Sequence, residues 1–62
     1  VPVLYLNMSK DNKEAYRTLV ESDILFESHV ATEEPTPLLV VGYQRFLGLE
    51  EIREYMSKLK LS

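Results

Sequence analysis

The stretch from Thr36 to Leu59 constrains the fold of this chain most strongly, because it carries the clearest breaks between segments. A proline precedes the unbroken apolar run Leu38 to Val41, and Gly42 then marks a hairpin turn into Tyr43 to Leu47. Gly48 ends that second segment, and a face of apolar residues at helical spacing follows it: Leu49, Ile52, Tyr55, Met56 and Leu59. This order predicts a buried strand, an edge strand and a closing amphipathic helix.

The first half of the chain predicts a strand, a helix and a second strand. The apolar run Val3 to Leu6 is typical of a central strand that is buried on both faces. Apolar residues at helical spacing predict a helix over about 12–21, with a stripe of Ala15, Tyr16, Leu19 and Val20. Ile24 to Val30 then alternates in its second half, which predicts a half-buried edge strand.

Two start signals compete for the first helix. Asp11 and Glu14 have the spacing of a capping box, in which each end of the pair satisfies a free backbone N–H. Ser9 and Asn12 offer an alternative start with a poorer match to that motif. We therefore expect the helix to begin at about Asn12.

The order of elements is β-α-β-β-β-α, which predicts an α/β fold of the mixed-sheet α+β kind. A strand–helix–strand unit makes its two strands parallel, with a right-handed crossover. We expect one domain over residues 1–62, a four-stranded mixed sheet of order 2-1-3-4, and both helices on one face. Because a core below roughly 70–80 residues seldom supplies more than ~3–5 kcal/mol, a second copy or a covering domain would add support.

Charge and composition exclude several classes of function. The net charge is −3, and the seven basic residues are scattered, which argues against nucleic-acid binding. No apolar run approaches the ~18 residues of a membrane span, and no signal peptide is recognisable. The chain begins with Val1, as expected of a processed product or a piece of a longer protein. We expect a cytoplasmic location, with which an absence of cysteine is compatible.

The arrangement resembles the glutaredoxin family of the thioredoxin fold. Thr36-Pro37 stands where that family has a proline, usually cis, before its third strand, and Gly42 matches its hairpin glycine. The run Leu47-Gly48-Leu49-Glu50-Glu51-Ile52 matches a glycine pair, an acidic pair and an apolar helix, with one glycine lost. Alignment on Ala15 places Ser9-Lys10-Asp11-Asn12 on the family's Cys-x-x-Cys motif.

The chain departs from that family in its missing cysteines and its missing second helix, and these departures limit the function that the resemblance implies. Ser9 stands at the position of the nucleophilic cysteine and Asn12 at that of the second, and the chain has no cysteine at all. Thiol–disulfide exchange needs a thiolate, so oxidoreductase chemistry of that kind is excluded and we expect no enzyme activity. The loop over 31–37 is too short for the family's second helix, which leaves a minimal fold. By resemblance, ligand binding to glutathione or a peptide would fall on Ser9, Thr36, Pro37 and Gly48.

Other residues with chemical potential have simpler structural interpretations. His29 is the sole histidine, and without cysteine it is poor material for a metal site, so we expect neither a metal nor a cofactor. Glu33-Glu34 is expected in a solvated loop, and Glu50-Glu51 in the first turn of a helix. Ser9 lacks an evident base that would make it a nucleophile. The tyrosines and phenylalanines are expected in and around the core.

The two apolar strands lead to the functional hypothesis. Two helices on one face leave the other faces of Val3–Leu6 and Leu38–Val41 uncovered, and such patches are rare on monomers. We therefore expect a homodimer, or docking of another protein domain, on the open sheet face. The leading hypothesis is a cysteine-free, non-enzymatic interaction or structural module. The alternatives are a degenerate glutaredoxin-like domain that still binds glutathione or a peptide at Thr36-Pro37 within a larger protein, and a small regulatory ligand-binding domain.

Overall fold

The computed structural model describes residues 1–32 and 35–61, the last two as backbone only. Its elements are β1 (Val3–Leu6), α1 (Lys10–Glu21), β2 (Glu27–Val30), β3 (Leu38–Val41), β4 (Gln44–Leu47) and α2 (Leu49–Leu61). The number, type and order of these elements confirm the prediction. The expectation for Glu33-Glu34 lies outside the described residues.

The four strands form one mixed sheet in the order β2-β1-β3-β4, as predicted. Strand β1 pairs with β2 in parallel, and α1 provides the crossover between them. Strand β3 is antiparallel to both β1 and β4. The two apolar runs are therefore the central strands, and the more polar segments are the edges.

Both helices cover the same face of the sheet. Leu4 of β1 and Leu39 of β3 point to that face and are fully buried. Around them pack Ala15 and Leu19 of α1 and Ile52 and Met56 of α2, each at most 3% exposed. Burying a leucine or isoleucine side chain contributes roughly 1.5–3 kcal/mol, so this one cluster carries most of the hydrophobic stabilisation.

Helix α1 begins earlier than predicted. It starts at Lys10 with Ser9 as its N-cap residue, and the backbone N–H of Lys13 donates to the Ser9 carbonyl oxygen at 3.0 Å. The capping box at Asp11 and Glu14 was therefore wrong. The physical reason for the earlier start is the burial of Asn12. Asn12 is 2% exposed and bonds to Ser9, which makes Ser9 the N-cap residue in place of Asp11.

The apolar stripe of α1 is narrower than the sequence predicted. Ala15 and Leu19 are fully buried, whereas Tyr16 is 43% and Val20 53% exposed. Tyr16 lies at the rim, where its ring meets Phe26 edge-on with the centroids 5.6 Å apart. The short sheet covers only the centre of the helix, so the flanking positions reach solvent.

The edge strands are shorter than predicted. Strand β2 begins at Glu27 rather than Ile24, because the chain first turns at Asp23 with φ of 57°. All four residues of β2 are exposed, so it is an edge strand without a buried side. Strand β4 begins at Gln44, since Val41 pairs with Gln44 and leaves Gly42 and Tyr43 as a two-residue hairpin loop. Gly42 has φ of 60°, which suits the first central position of such a loop.

Candidate functional site

Within residues 1–32 and 35–61, no helix lies over one face of the sheet. Side chains alternate along a strand, and those paired across strands share a face. The partners of Val3 and Tyr5 therefore lie opposite the buried Leu4 and Leu39. We call this surface the open face, and its eight residues are Val3, Tyr5, Glu27, His29, Leu38, Val40, Arg45 and Leu47.

The centre of the open face is apolar and slightly concave. Tyr5, Leu38 and Val40 stay partly accessible although they sit on the two central strands, and Leu47 is 44% exposed. Together with Pro35 and Arg45 they line a depression of about 670 Å³. The sequence predicted this uncovered apolar surface from the two apolar runs and the helix count.

The open face is organised in two rows that run across the sheet. The register places Glu27, Val3, Val40 and Arg45 in the first row, from β2 to β4. The second row holds His29, Tyr5, Leu38 and Leu47 in the same strand order. Each row thus has an apolar middle, and the first row ends in opposite charges.

The polar groups at the rim of the open face have few partners. Glu27 and Arg45 form no ion pair within the part of the chain that the structure describes. Three strand spacings of about 4.8 Å separate them, a distance of about 14 Å that no side-chain contact spans. His29 stacks on Tyr5 with ring centroids 5.9 Å apart. Its placement fits a surface role on a strand.

The proline loop and the start of α2 are directly joined. The Thr36–Pro37 peptide bond is cis, and Pro37 is buried. The Pro37 carbonyl oxygen accepts a hydrogen bond from the backbone N–H of Gly48 at 2.8 Å. Gly48 has φ of 92°, and its carbonyl oxygen accepts from the N–H of Ile52. Of the predicted ligand-binding residues, the structure therefore brings together Pro37 and Gly48.

Thr36 has an unusual environment beside that contact. Its hydroxyl oxygen Oγ1 is buried and has no hydrogen-bond partner among residues 1–32 and 35–61. A buried hydroxyl without a partner costs about 1–3 kcal/mol relative to one that is satisfied. Among the described residues, Thr36 is thus a predicted ligand-binding residue whose hydroxyl is buried and unpartnered.

Ser9 is occupied within its own turn. Its Oγ accepts a hydrogen bond from Nδ2 of Asn12 at 2.6 Å, and its N–H donates to Oδ1 of Asn7 at 2.8 Å. Asn12 Oδ1 in turn accepts from the N–H of Asn7 at 3.0 Å. No hydrogen bond in the described ranges links Ser9 to Thr36 or Pro37. The sequence offered Ser9 and Asn12 as the alternative helix start, and this is the start that the structure adopts, with Asn12 buried.

The charge around the start of α2 opposes anionic ligands. A depression of about 500 Å³ there has three carboxylates, from Asp11, Glu50 and Glu51, and one guanidinium, from Arg53. Glu51 Oε1 accepts a hydrogen bond from the N–H of Leu47 at 3.2 Å, so this acidic pair serves the helix terminus as predicted. The positive end of the helix dipole is already matched by these side chains.

The described part of the chain offers neither a metal-binding cluster nor a membrane-spanning helix. Within residues 1–32 and 35–61, no group of three or more His, Asp or Glu side chains is placed to hold a metal ion. Over the same described ranges, neither helix has the length and apolar character needed to cross a membrane.

Comparison with known proteins finds no relative of this chain. No protein-family model matches it, and neither a curated protein nor a solved structure matches it at a significant level.

Proposed function

We propose that this chain is a cysteine-free, glutaredoxin-like module that acts without catalysis, as a protein-interaction or structural domain. The single observation that carries the proposal is the open face. Tyr5, Leu38 and Val40 lie at its centre with no element of the described chain above them. A contiguous apolar patch on a small soluble domain marks an interaction surface.

The absence of a thiol supports the non-catalytic part of the proposal. The positions that align with the family's two cysteines hold Ser9 and Asn12, and these bond to each other at the start of α1. A serine hydroxyl cannot replace a thiolate in disulfide exchange. In this proposal the glutaredoxin-like fold serves as a scaffold, and the open face binds the partner. A cytoplasmic location is part of the same proposal and is tested by imaging a tagged full-length protein in its own cells.

A photo-crosslinking residue placed on the open face tests the interaction directly. Leu47 on the open face and Tyr16 on the helix side are matched positions, at 44% and 43% exposure. Benzoylphenylalanine at Leu47, in the full-length protein within its own cells, is expected to give a protein adduct, while the same group at Tyr16 gives none. An adduct with a second copy or with another protein supports the proposal. Equal yields at both positions, or no adduct at Leu47, would contradict it.

A second candidate function is retained binding of glutathione or a peptide by a degenerate glutaredoxin-like domain of a larger protein. The observation in its favour is the unpartnered Oγ1 of Thr36 next to Pro37. Against it stand the internal bonding of Ser9 and the acidic surroundings of Gly48. Glutathione carries a net negative charge, so these carboxylates repel it.

Titration with reduced glutathione separates the two functions. The backbone amide signals of Ser9, Thr36 and Gly48 are followed by NMR as the tripeptide is raised to millimolar concentration. The interaction-module proposal expects no shift at these three positions. Saturable shifts that disappear in Thr36→Val, which keeps the side-chain shape and removes the hydroxyl, would establish the second function instead.

A further inference from the structure

We infer that the occupant of the open face is a second copy of this chain, packed face to face about a two-fold axis that runs along the strands. This inference rests on the proposed interaction function and names its partner. It is carried by the position of the two charges at opposite ends of one row, Glu27 on β2 and Arg45 on β4.

The symmetry follows from the register. Consider a two-fold axis that lies in the plane of the interface and runs parallel to the strands. It reverses the order of the strands and keeps each residue's position along the strand direction, so each row faces the same row of the second copy. The β2 edge of one copy then lies over the β4 edge of the other. Glu27 therefore meets Arg45 of the second copy, and the reverse pair forms at the other edge. An interface of this kind is isologous, since the same patch serves both copies.

The apolar residues also match under this operation. Val3 lies over Val40 of the second copy, and Tyr5 lies over Leu38. His29, whose ring already stacks on Tyr5, lies over Leu47. Packed sheets are about 10 Å apart, a gap that a glutamate and an arginine side chain together can span. Sheets in such sandwiches keep their strand directions within about 30° of each other.

The other face-to-face arrangement is less favourable. A two-fold axis across the strands exchanges the two rows and leaves each strand over its own copy. Arg45 would then lie over Leu47 of the second copy, and Glu27 over His29. The guanidinium would lose water without gaining a carboxylate, which costs free energy. Charge complementarity thus selects the axis along the strands.

The expected affinity is modest because the face is small. Four strands at about 4.8 Å and four residues at about 3.3 Å give a surface of about 19 by 13 Å. Stable interfaces between proteins bury on the order of 800 Å² on each partner, more than this face offers. We therefore expect a weak dimer that is populated only at high protein concentration and that dissociates further as salt is added.

Charge reversal tests both the dimer and its symmetry by sedimentation equilibrium of the purified chain up to 1 mM. Arg45→Glu alone and Glu27→Arg alone are each expected to weaken self-association at least tenfold. The double variant E27R/R45E is expected to dimerise like the original chain. An equimolar mixture of the two single variants is expected to form a heterodimer, because each charge then meets its opposite.

The controls keep the outcome decisive. Glu54→Arg reverses an exposed charge on α2, far from the open face, and is expected to leave self-association unchanged. Circular dichroism shows whether each variant is folded. A chain that is monomeric at 1 mM overturns the inference, and so does a double variant that stays as weak as the single ones. If the chain is monomeric while Leu47 crosslinks to a different protein, the proposed function stands and only the identity of the partner falls.

Discussion

The side chains of Ser9 and Asn12 bond to each other across the first turn of α1, with Nδ2 of Asn12 donating to Oγ of Ser9 at 2.6 Å. The glutaredoxin-like proposal places the family's Cys-x-x-Cys motif on these two positions. Asn12 is buried and also accepts a bond from the Asn7 N–H. This first turn of α1 is held by a neutral polar network of Asn7, Ser9 and Asn12.

Asn12→Ala is expected to lower the free energy of unfolding by about 1–3 kcal/mol, because it removes a buried side chain and leaves the half-buried Asn7 N–H without its acceptor. Urea unfolding followed by circular dichroism measures the change. Lys13→Ala, at the exposed neighbouring position, is the control and should change stability by less than about 0.5 kcal/mol. Equal effects of the two substitutions would show that the network contributes nothing.

The pair Ser9→Cys and Asn12→Cys is expected to form an intramolecular disulfide on mild oxidation, since the two side chains already touch. Thiol titration and a mass loss of about two daltons detect it. The matched control S9C/D11C places the second thiol on an exposed position two residues after Ser9, where the side chains of a helical turn do not face each other, and should keep both thiols free. If the thioredoxin-fold resemblance holds, the S9C/N12C protein also gains measurable disulfide-reducing activity. An S9C/N12C protein whose thiols stay free contradicts the geometry.

Thr36→Val is expected to raise the stability of the chain by about 1 kcal/mol, because it removes a buried hydroxyl that has no partner in the described structure and keeps the side-chain shape. Thermal unfolding measures the shift. Thr18→Val is a useful comparison, since Oγ1 of Thr18 donates to the carbonyl oxygen of Glu14 at 2.8 Å and its removal should give no such gain. A loss of stability in Thr36→Val would show that the hydroxyl is satisfied.

Gly48→Ala is expected to cost about 1–2 kcal/mol of stability, although a Cβ at this position would meet no atom within 4 Å beyond its two chain neighbours. The cost comes from the backbone alone, because φ of 92° is unfavourable for a residue with a side chain. Chemical denaturation measures it. Ser57→Ala, on an exposed turn of α2, supplies the control and should be neutral or slightly stabilising. A neutral Gly48→Ala would mean that the backbone relaxes there without strain.

Leu19→Ala is expected to cost about 2–5 kcal/mol, since Leu19 is fully buried in the single core cluster. That is comparable with the whole stability of so small a domain, so the variant should be largely unfolded at room temperature. Val20→Ala, its neighbour at 53% exposure, should change stability by less than about 0.5 kcal/mol. Amide dispersion in NMR spectra distinguishes the two, and a folded Leu19→Ala would contradict the assignment of this core.

The strand and helix order could be predicted because local chemistry fixes it. Apolar runs such as Leu38–Val41, the turn glycines and the helical spacing of Ile52 and Met56 each act within a few residues. The sheet order followed from the crossover rule and from the polar character of the edges. The open face followed as well, since two helices of this length cover only one side of four strands.

The start of α1 and the details of the candidate site could not be predicted, because they depend on burial. Asp11 and Asn12 both carry a side-chain oxygen that could cap the helix. Only the folded structure shows that Asn12 is buried while Asp11 stays exposed. The tertiary structure was also needed to show that Ser9 is separate from the contact between Pro37 and Gly48. The strand register was needed to place Glu27 and Arg45 at opposite ends of one row.

The sequence by itself determined the fold of this protein and excluded thiol chemistry, because periodicity, turn residues and the absence of cysteine are local facts. Only the tertiary structure decided which polar groups are satisfied and which side chains make up the open face. The physical reason is that hydrogen bonding and exposure belong to residues far apart in the chain, brought together by the pairing of β1 with β2 and β3.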